Sequence, residues 1–135
     1  MEQKKYSFSK AEHLCGEKKI TRLHTEGNAF IVYPLRVVYC VLSEEDEFPA
    51  KMMVSVPKKR FKRAVKRNRL KRLIRESYRL NKHILLDVLI EKKIQTHISF
   101  QYVSDEELQF DYIEKRMQTA LNKMNTTVEN DEKNS

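Results

Sequence analysis

The stretch VKRNRLKRLIRESYR, residues 65–79, restricts the fold more than any other part of this chain. Leu70, Leu73, Ile74 and Ser77 fall on one stripe of a 3.6-residue helix. Asn68, Lys71, Arg72, Arg75 and Arg79 project on the opposite side. Arg67 and Arg69 flank the stripe, one on each edge, where their stems can lie on a core while their heads stay wet. A helix this short is marginal alone in water, so its apolar stripe needs a surface to pack on. Phe61 and Val65 are out of phase with the stripe, which predicts a separate turn or loop over 58–64.

Charge sharpens the reading. The whole chain carries +8. Residues 51–82 hold 14 Lys or Arg and a single acid, Glu76, so that window is +13 and the remainder is −5 (8 minus 13). A positive zone this local is an electrostatic footprint for a polyanion. A merely solvated face would show acids placed to pair at i,i+4, and here they are nearly absent.

The other segments predict an α+β chain. Ile20, Leu23 and His24 recur at helical spacing between Glu17 and Glu26, with Gly27 as the stop. Phe30–Tyr33 and Leu35–Leu42 read as strands, with Pro34 marking a bend or edge, and SEEDEFP (43–49) as an acidic turn. Met52, Val54 and Val56 alternate with Met53 and Ser55, and Ile98, Phe100 and Tyr102 alternate with Ser99 and Gln101, giving two more strands. Ser104–Glu107 has the pattern of a capping box opening a last helix, on which Ile113, Met117, Ala120, Leu121 and Met124 share a face. Residues 1–13 read as loose, 1–124 as one domain, and 125–135 as a disordered polar tail. The expected order is helix, strands, basic helix, strand, helix, in a small single-domain sandwich of one sheet and its helices.

Several chemistries find no support. Neither GxSxG, HExxH nor a P-loop occurs, and the chain has two glycines in all. Acids are scattered or gathered in the 43–49 turn and the tail, so no catalytic carboxylate pair is expected. Cys15 and Cys40 form no CxxC, which suits a reduced cytoplasmic compartment, and His13, His24, His83 and His97 lack metal-ligand spacing. The N-terminal MEQKKYSFSK has no apolar core of a secretory signal, and FIVYPLRVVYCVL is broken by Pro34 and Arg36 and too short to span a bilayer. No catalytic residue and no metal ligand is assigned.

The run VSVPKKRFKRAVKRNRLKRLIRESYR closely resembles the signature of the bacterial ribonuclease P protein subunit family. The matching positions are Ser55, Val56, Pro57, Lys58 and Lys59, then Arg67, Asn68, Arg69, Lys71, Arg72 and Arg75. A weaker likeness covers HLCGEKKITRLHTEG (13–27) and the element order through residue 124.

The resemblance implies a basic helix crossing between two parallel strands in the left-handed sense, an exception to the usual right-handed crossover. It implies a protein that binds a catalytic RNA subunit, which holds most of the Mg²⁺ and hydrolyses precursor tRNA to release the 5′ leader, the protein alone being inactive. The family's RNA-facing helix maps onto Arg67, Asn68, Arg69, Lys71, Arg72 and Arg75, with Lys58 and Lys59 beside it. Its leader cleft maps onto Ile20 and His24 on the first helix and Arg36, Val38 and Tyr39 on the cleft floor. Aromatic residues are usual at the first two positions, and Ile20 cannot stack on a base as a ring does. The competing reading is a ribosomal or chaperone-type RNA-binding protein that is not part of an enzyme. DNA is not an expected partner, because no helix-turn-helix element precedes the basic helix. Nor is a membrane, because the apolar stripe is needed for the core.

Overall fold

The structure, a computed structural model, describes residues 12–42 and 49–133. Four helices and a four-stranded mixed sheet follow in the order α1 (Glu17–Glu26), β1 (Asn28–Val32), β2 (Leu35–Leu42), β3 (Ala50–Ser55), α2 (Ala64–Asn81), α3 (His83–Lys92), β4 (Gln95–Tyr102) and α4 (Phe110–Lys133). The expected α+β class stands. In the sheet the order is β1-β2-β4-β3, with β1/β2 and β2/β4 antiparallel and β3/β4 parallel. Joining parallel neighbours requires a crossover, and α2 with α3 supplies it.

Strand alternation divides the sheet into two faces. One carries Val37, Tyr39, Met52, Val54, Ile98 and Phe100 and packs against Leu70, Ile74 and Tyr78 of α2, Leu85 and Leu89 of α3, and Ile113, Met117 and Leu121 of α4. All five α4 positions expected on one face, from Ile113 to Met124, are fully buried. The opposite face carries Val38, which meets Leu14 and Leu23 beneath α1. β4 is therefore covered on both sides, and its residues from Gln95 to Phe100 are all buried. The strand expected from Ile98, Phe100 and Tyr102 is a central one.

β1 and β2 form a hairpin closed by a cis Tyr33–Pro34 bond, with Val32 opposite Leu35. Gly27 ends α1 by donating its N–H to Leu23 O at 2.9 Å. A Cβ there would stand 2.3 Å from Leu23 O and 2.9 Å from Tyr39 O, so the close approach of α1 to β2 demands glycine.

Four expectations need correction. A further helix, α3, stands between the basic helix and β4, where the expected element order has none, and its Leu85, Val88 and Leu89 are buried in the core. Ser104 does not open a helix: its Oγ accepts the Glu106 N–H at 3.0 Å in a turn, and α4 starts at Phe110. The tail is not disordered from 125, because α4 continues to Lys133 and buries Val128 beside Met124 in the core. Residues 12 and 13 are not loose: His13 bridges Met52, and the buried Glu12 carboxylate meets Lys82 Nζ at 2.7 Å. Residues 1–11 and most of the acidic 43–49 turn lie outside the described residues.

Candidate nucleic-acid interface

The turn that delivers the basic helix begins where β3 ends. Pro57 O accepts the N–H groups of Arg60 at 3.1 Å and Phe61 at 3.3 Å, and this tight turn drives the Phe61 ring into the core, 5.9 Å from the Tyr102 ring. Lys58 and Lys59 are left exposed at its tip. α2 follows at Ala64, the last residue of the turn expected over 58–64, and Val65 is exposed in its first turn.

Along α2, Leu70, Ile74, Ser77, Tyr78 and Asn81 are buried and Leu73 is half-buried. The outward side runs Asn68, Arg72, Arg75 and Arg79 at spacings of four, three and four, which makes one stripe. Asn68 and Arg72 are exposed, while Lys71 and Arg75 are half-buried with their stems along the edge. Among the described residues, Lys58, Lys59, Lys71, Arg72 and Arg75 have no acidic partner. Arg79 differs, because Glu76 neutralises it. Their hydrogen bond holds the Glu76 carboxyl below its ordinary range and raises the Arg79 guanidinium further.

Two of the expected RNA-facing residues have intramolecular work. Arg67 Nη1 donates to Phe61 O at 2.7 Å and to Lys62 O at 2.9 Å. Arg69 Nη1 lies 3.6 Å from Glu107 Oε1, and the other oxygen of that carboxylate is 3.4 Å from Lys66 Nζ. Arg60, Lys62, Arg63 and Lys66 belong to the same basic surface and were not singled out from the sequence. They stand in the same basic run, between and beside the positions that the family signature matches.

The expected cleft residues separate. Ile20 is half-buried on the Leu14–Leu23–Val38 cluster, and His24, one turn on, is exposed. Val38 is 3% exposed, so it packs under α1 and offers no open surface. Tyr39 does not share the floor: as the next residue on β2 it faces the other way, 5% exposed, with its ring 6.0 Å from Phe30 in an edge-on contact. Arg36 remains on the α1 side and donates Nη1–H to Gln101 Oε1 at 2.8 Å. Register places Ile31, Arg36, Gln101 and Ser55 in one row across all four strands, and Ser55 leads within three residues to Lys58. The open part of the sheet and the basic turn thus meet at the same edge.

Among the described residues no three His, Cys, Asp or Glu side chains stand together as a set that would hold a metal ion. No helix there is long and apolar enough to cross a membrane.

These features define a small α+β domain built around a cationic helix with one locked face and one open face. The chain belongs to the ribonuclease P protein family, whose model matches residues 8–125. It is 53% identical over 116 residues to the ribonuclease P protein component of Porphyromonas gingivalis, covering 86% of this chain and 85% of that one. The Chlorobaculum tepidum component is 33% identical over 91 residues, covering 65% and 59% of the two chains. The fold matches the RNase P proteins of Staphylococcus aureus (TM-score 0.66, 24% identity, 83% of this chain and 94% of that chain) and Thermotoga maritima (TM-score 0.66, 19% identity, 83% and 96%).

Proposed function

We propose that this chain is the protein subunit of a cytoplasmic ribonucleoprotein that removes the 5′ leader of precursor tRNA by phosphodiester hydrolysis. The catalytic RNA subunit carries the chemistry and the protein alone is inactive. Mg²⁺ held on that RNA would supply the charge stabilisation and activated water that hydrolysis needs. The observation that carries the reading is the set Lys58, Lys59, Lys71, Arg72 and Arg75, without acidic partners among the described residues and set on or beside a helix whose other face is fixed in the core.

The chemistry of recognition follows from those groups. Arg72 and Arg75 present planar forks that take phosphate oxygens bidentately, and Asn68, one turn before Arg72 on the same stripe, adds an uncharged donor and acceptor. A-form RNA hides its base edges in a deep groove, so a rigid cationic helix reads the spacing of backbone phosphates. His24 and Arg36, on the α1 side of the sheet, are the groups left to contact a single-stranded leader: the imidazole by stacking, the guanidinium by charge.

The test is discrimination among polyanions. At matched salt the chain is expected to bind a bacterial ribonuclease P RNA well above a ribosomal RNA fragment or duplex DNA of equal length. Equal affinity for all three would remove the proposal and leave a general polyanion binder.

A further inference from the structure

One flank of the basic helix is already occupied by acids from another part of the chain. Glu107 places one carboxylate oxygen 3.4 Å from Lys66 Nζ and the other 3.6 Å from Arg69 Nη1. Two residues earlier, Asp105 Oδ1 accepts from Arg60 Nη1 at 2.9 Å. Two carboxylates thus engage three cations drawn from the turn after β3 and the first turns of α2, while Arg72 and Arg75 farther round stay clear.

The turn that carries these acids is built into place. Ser104 is 2% exposed; its Oγ accepts from Tyr33 Oη at 2.7 Å as well as from the Glu106 N–H. Tyr102 Oη donates to Glu106 O at 2.5 Å and accepts the Leu108 N–H at 3.1 Å. The turn 104–108 is held by Tyr102 of β4 and, through the Ser104 hydroxyl, by Tyr33 of the β1–β2 turn, whereas the Asp105 carboxylate is 77% exposed. Such anchoring fixes where the negative charge sits without burying it.

We infer that Asp105 and Glu107 are a built-in phosphate surrogate, occupying with carboxylate oxygens the places on Arg60, Lys66 and Arg69 that RNA phosphates would otherwise take. The inference rests on the reading of α2 as an RNA-binding helix. Exposed ion pairs are weak, so a partner that delivers phosphates to this flank in the right geometry displaces the carboxylates easily. A polyanion that matches charge but not shape gains only the outward stripe. A cation already neutralised by a carboxylate also releases no counterion, so the surrogate flattens the salt dependence of non-specific binding. The turn therefore sharpens selectivity by masking charge from the wrong partners.

The experiment compares the full chain with its Asp105→Asn/Glu107→Gln variant on single-stranded poly(U) and on a bacterial ribonuclease P RNA across a salt series. Asp87→Asn/Glu91→Gln, which removes the same charge from exposed acids of α3, is the control. The turn variant is expected to bind poly(U) about fivefold tighter at low salt, the size expected for removing unit charges a few Å from a phosphate near bulk dielectric. Its log affinity should fall more steeply with log salt by about one to two units. Affinity for the ribonuclease P RNA should change less, so the preference for it narrows. Unchanged or weaker poly(U) binding would overturn the surrogate, as would an equal gain in the α3 control. Failure of the functional reading shows separately, as a wild-type chain that does not prefer the ribonuclease P RNA over poly(U).

Discussion

Arg67 reaches back from α2 to donate Nη1–H to the carbonyls of Phe61 at 2.7 Å and Lys62 at 2.9 Å, so a residue at the edge of the basic face also closes the turn that leads into it. Arg67→Ala is expected to cost about 1–2 kcal/mol in urea unfolding, the scale of losing a charged donor to partly buried carbonyls. Arg67→Lys should recover only part of this, since an ammonium cannot reproduce the fork. A stability within about 0.5 kcal/mol of the parent would show that the turn holds without it.

Arg72 and Arg75 contrast with Arg67, because neither has a hydrogen-bond or acidic partner among the described residues. Replacing either by Ala should leave the circular dichroism spectrum native, since Leu70, Ile74 and Tyr78 are untouched. Each replacement should lower affinity for the catalytic RNA and reduce the slope of log affinity against log salt by about one unit or a little less. An unchanged slope for the double Ala variant would place the binding surface elsewhere.

His24 stands exposed on the last turn of α1, above the sheet face that carries Arg36. His24→Ala should weaken binding of precursor tRNA by about 1–3 kcal/mol, the value of one stacked base, and leave mature tRNA nearly unaffected. Equal losses on both tRNAs would take His24 off the leader path.

The Tyr78 phenol is fully buried, and burial first, then the Glu12 carboxylate, hold it well above its ordinary value of 10.0. Above pH 10 the unfolded chain releases a proton that the folded chain keeps. The stability tied to this group is therefore fully present below pH 10 and lost as pH rises beyond it. Between about pH 9 and about pH 11 the urea midpoint should fall less in Tyr78→Phe than in the parent. Some dependence should remain, because burial also raises Tyr102. Identical falls in parent and variant would mean that Tyr78 does not set this pH response.

Where one physical signal dominated, the sequence was legible. The stripe at Leu70 and Ile74 and the alternation through Met52 and Val54 returned as α2 and β3, because each has one buried and one wet face. HILLDVLIEK was harder: its apolar residues surround most of the helix, and it follows α2 after Lys82 alone, which keeps helical backbone angles, so no break marks its start. Ser104 has the sequence pattern of a helix cap but closes a turn, because the same hydroxyl-to-amide bond serves both. Tyr39 and Val38 share a strand but not a face, because adjacent strand residues point opposite ways, so strand membership does not put both on a cleft floor. In the candidate interface, residue type revealed the cations, but only the folded positions of Asp105 and Glu107 showed which of them are covered. Those contacts span about forty residues of sequence, and no local pattern encodes them.

Reconstitution tests the central claim most directly. Precursor tRNA is incubated with a bacterial ribonuclease P RNA at low Mg²⁺, with this protein, and with both, and release of the 5′ leader is followed. The expected result is little cleavage by the RNA alone at that Mg²⁺ concentration, none by highly purified RNA-free protein at any Mg²⁺ concentration, and rapid cleavage at the mature 5′ end by the two together. Leader removal by the protein alone, or no stimulation of the RNA, would contradict it.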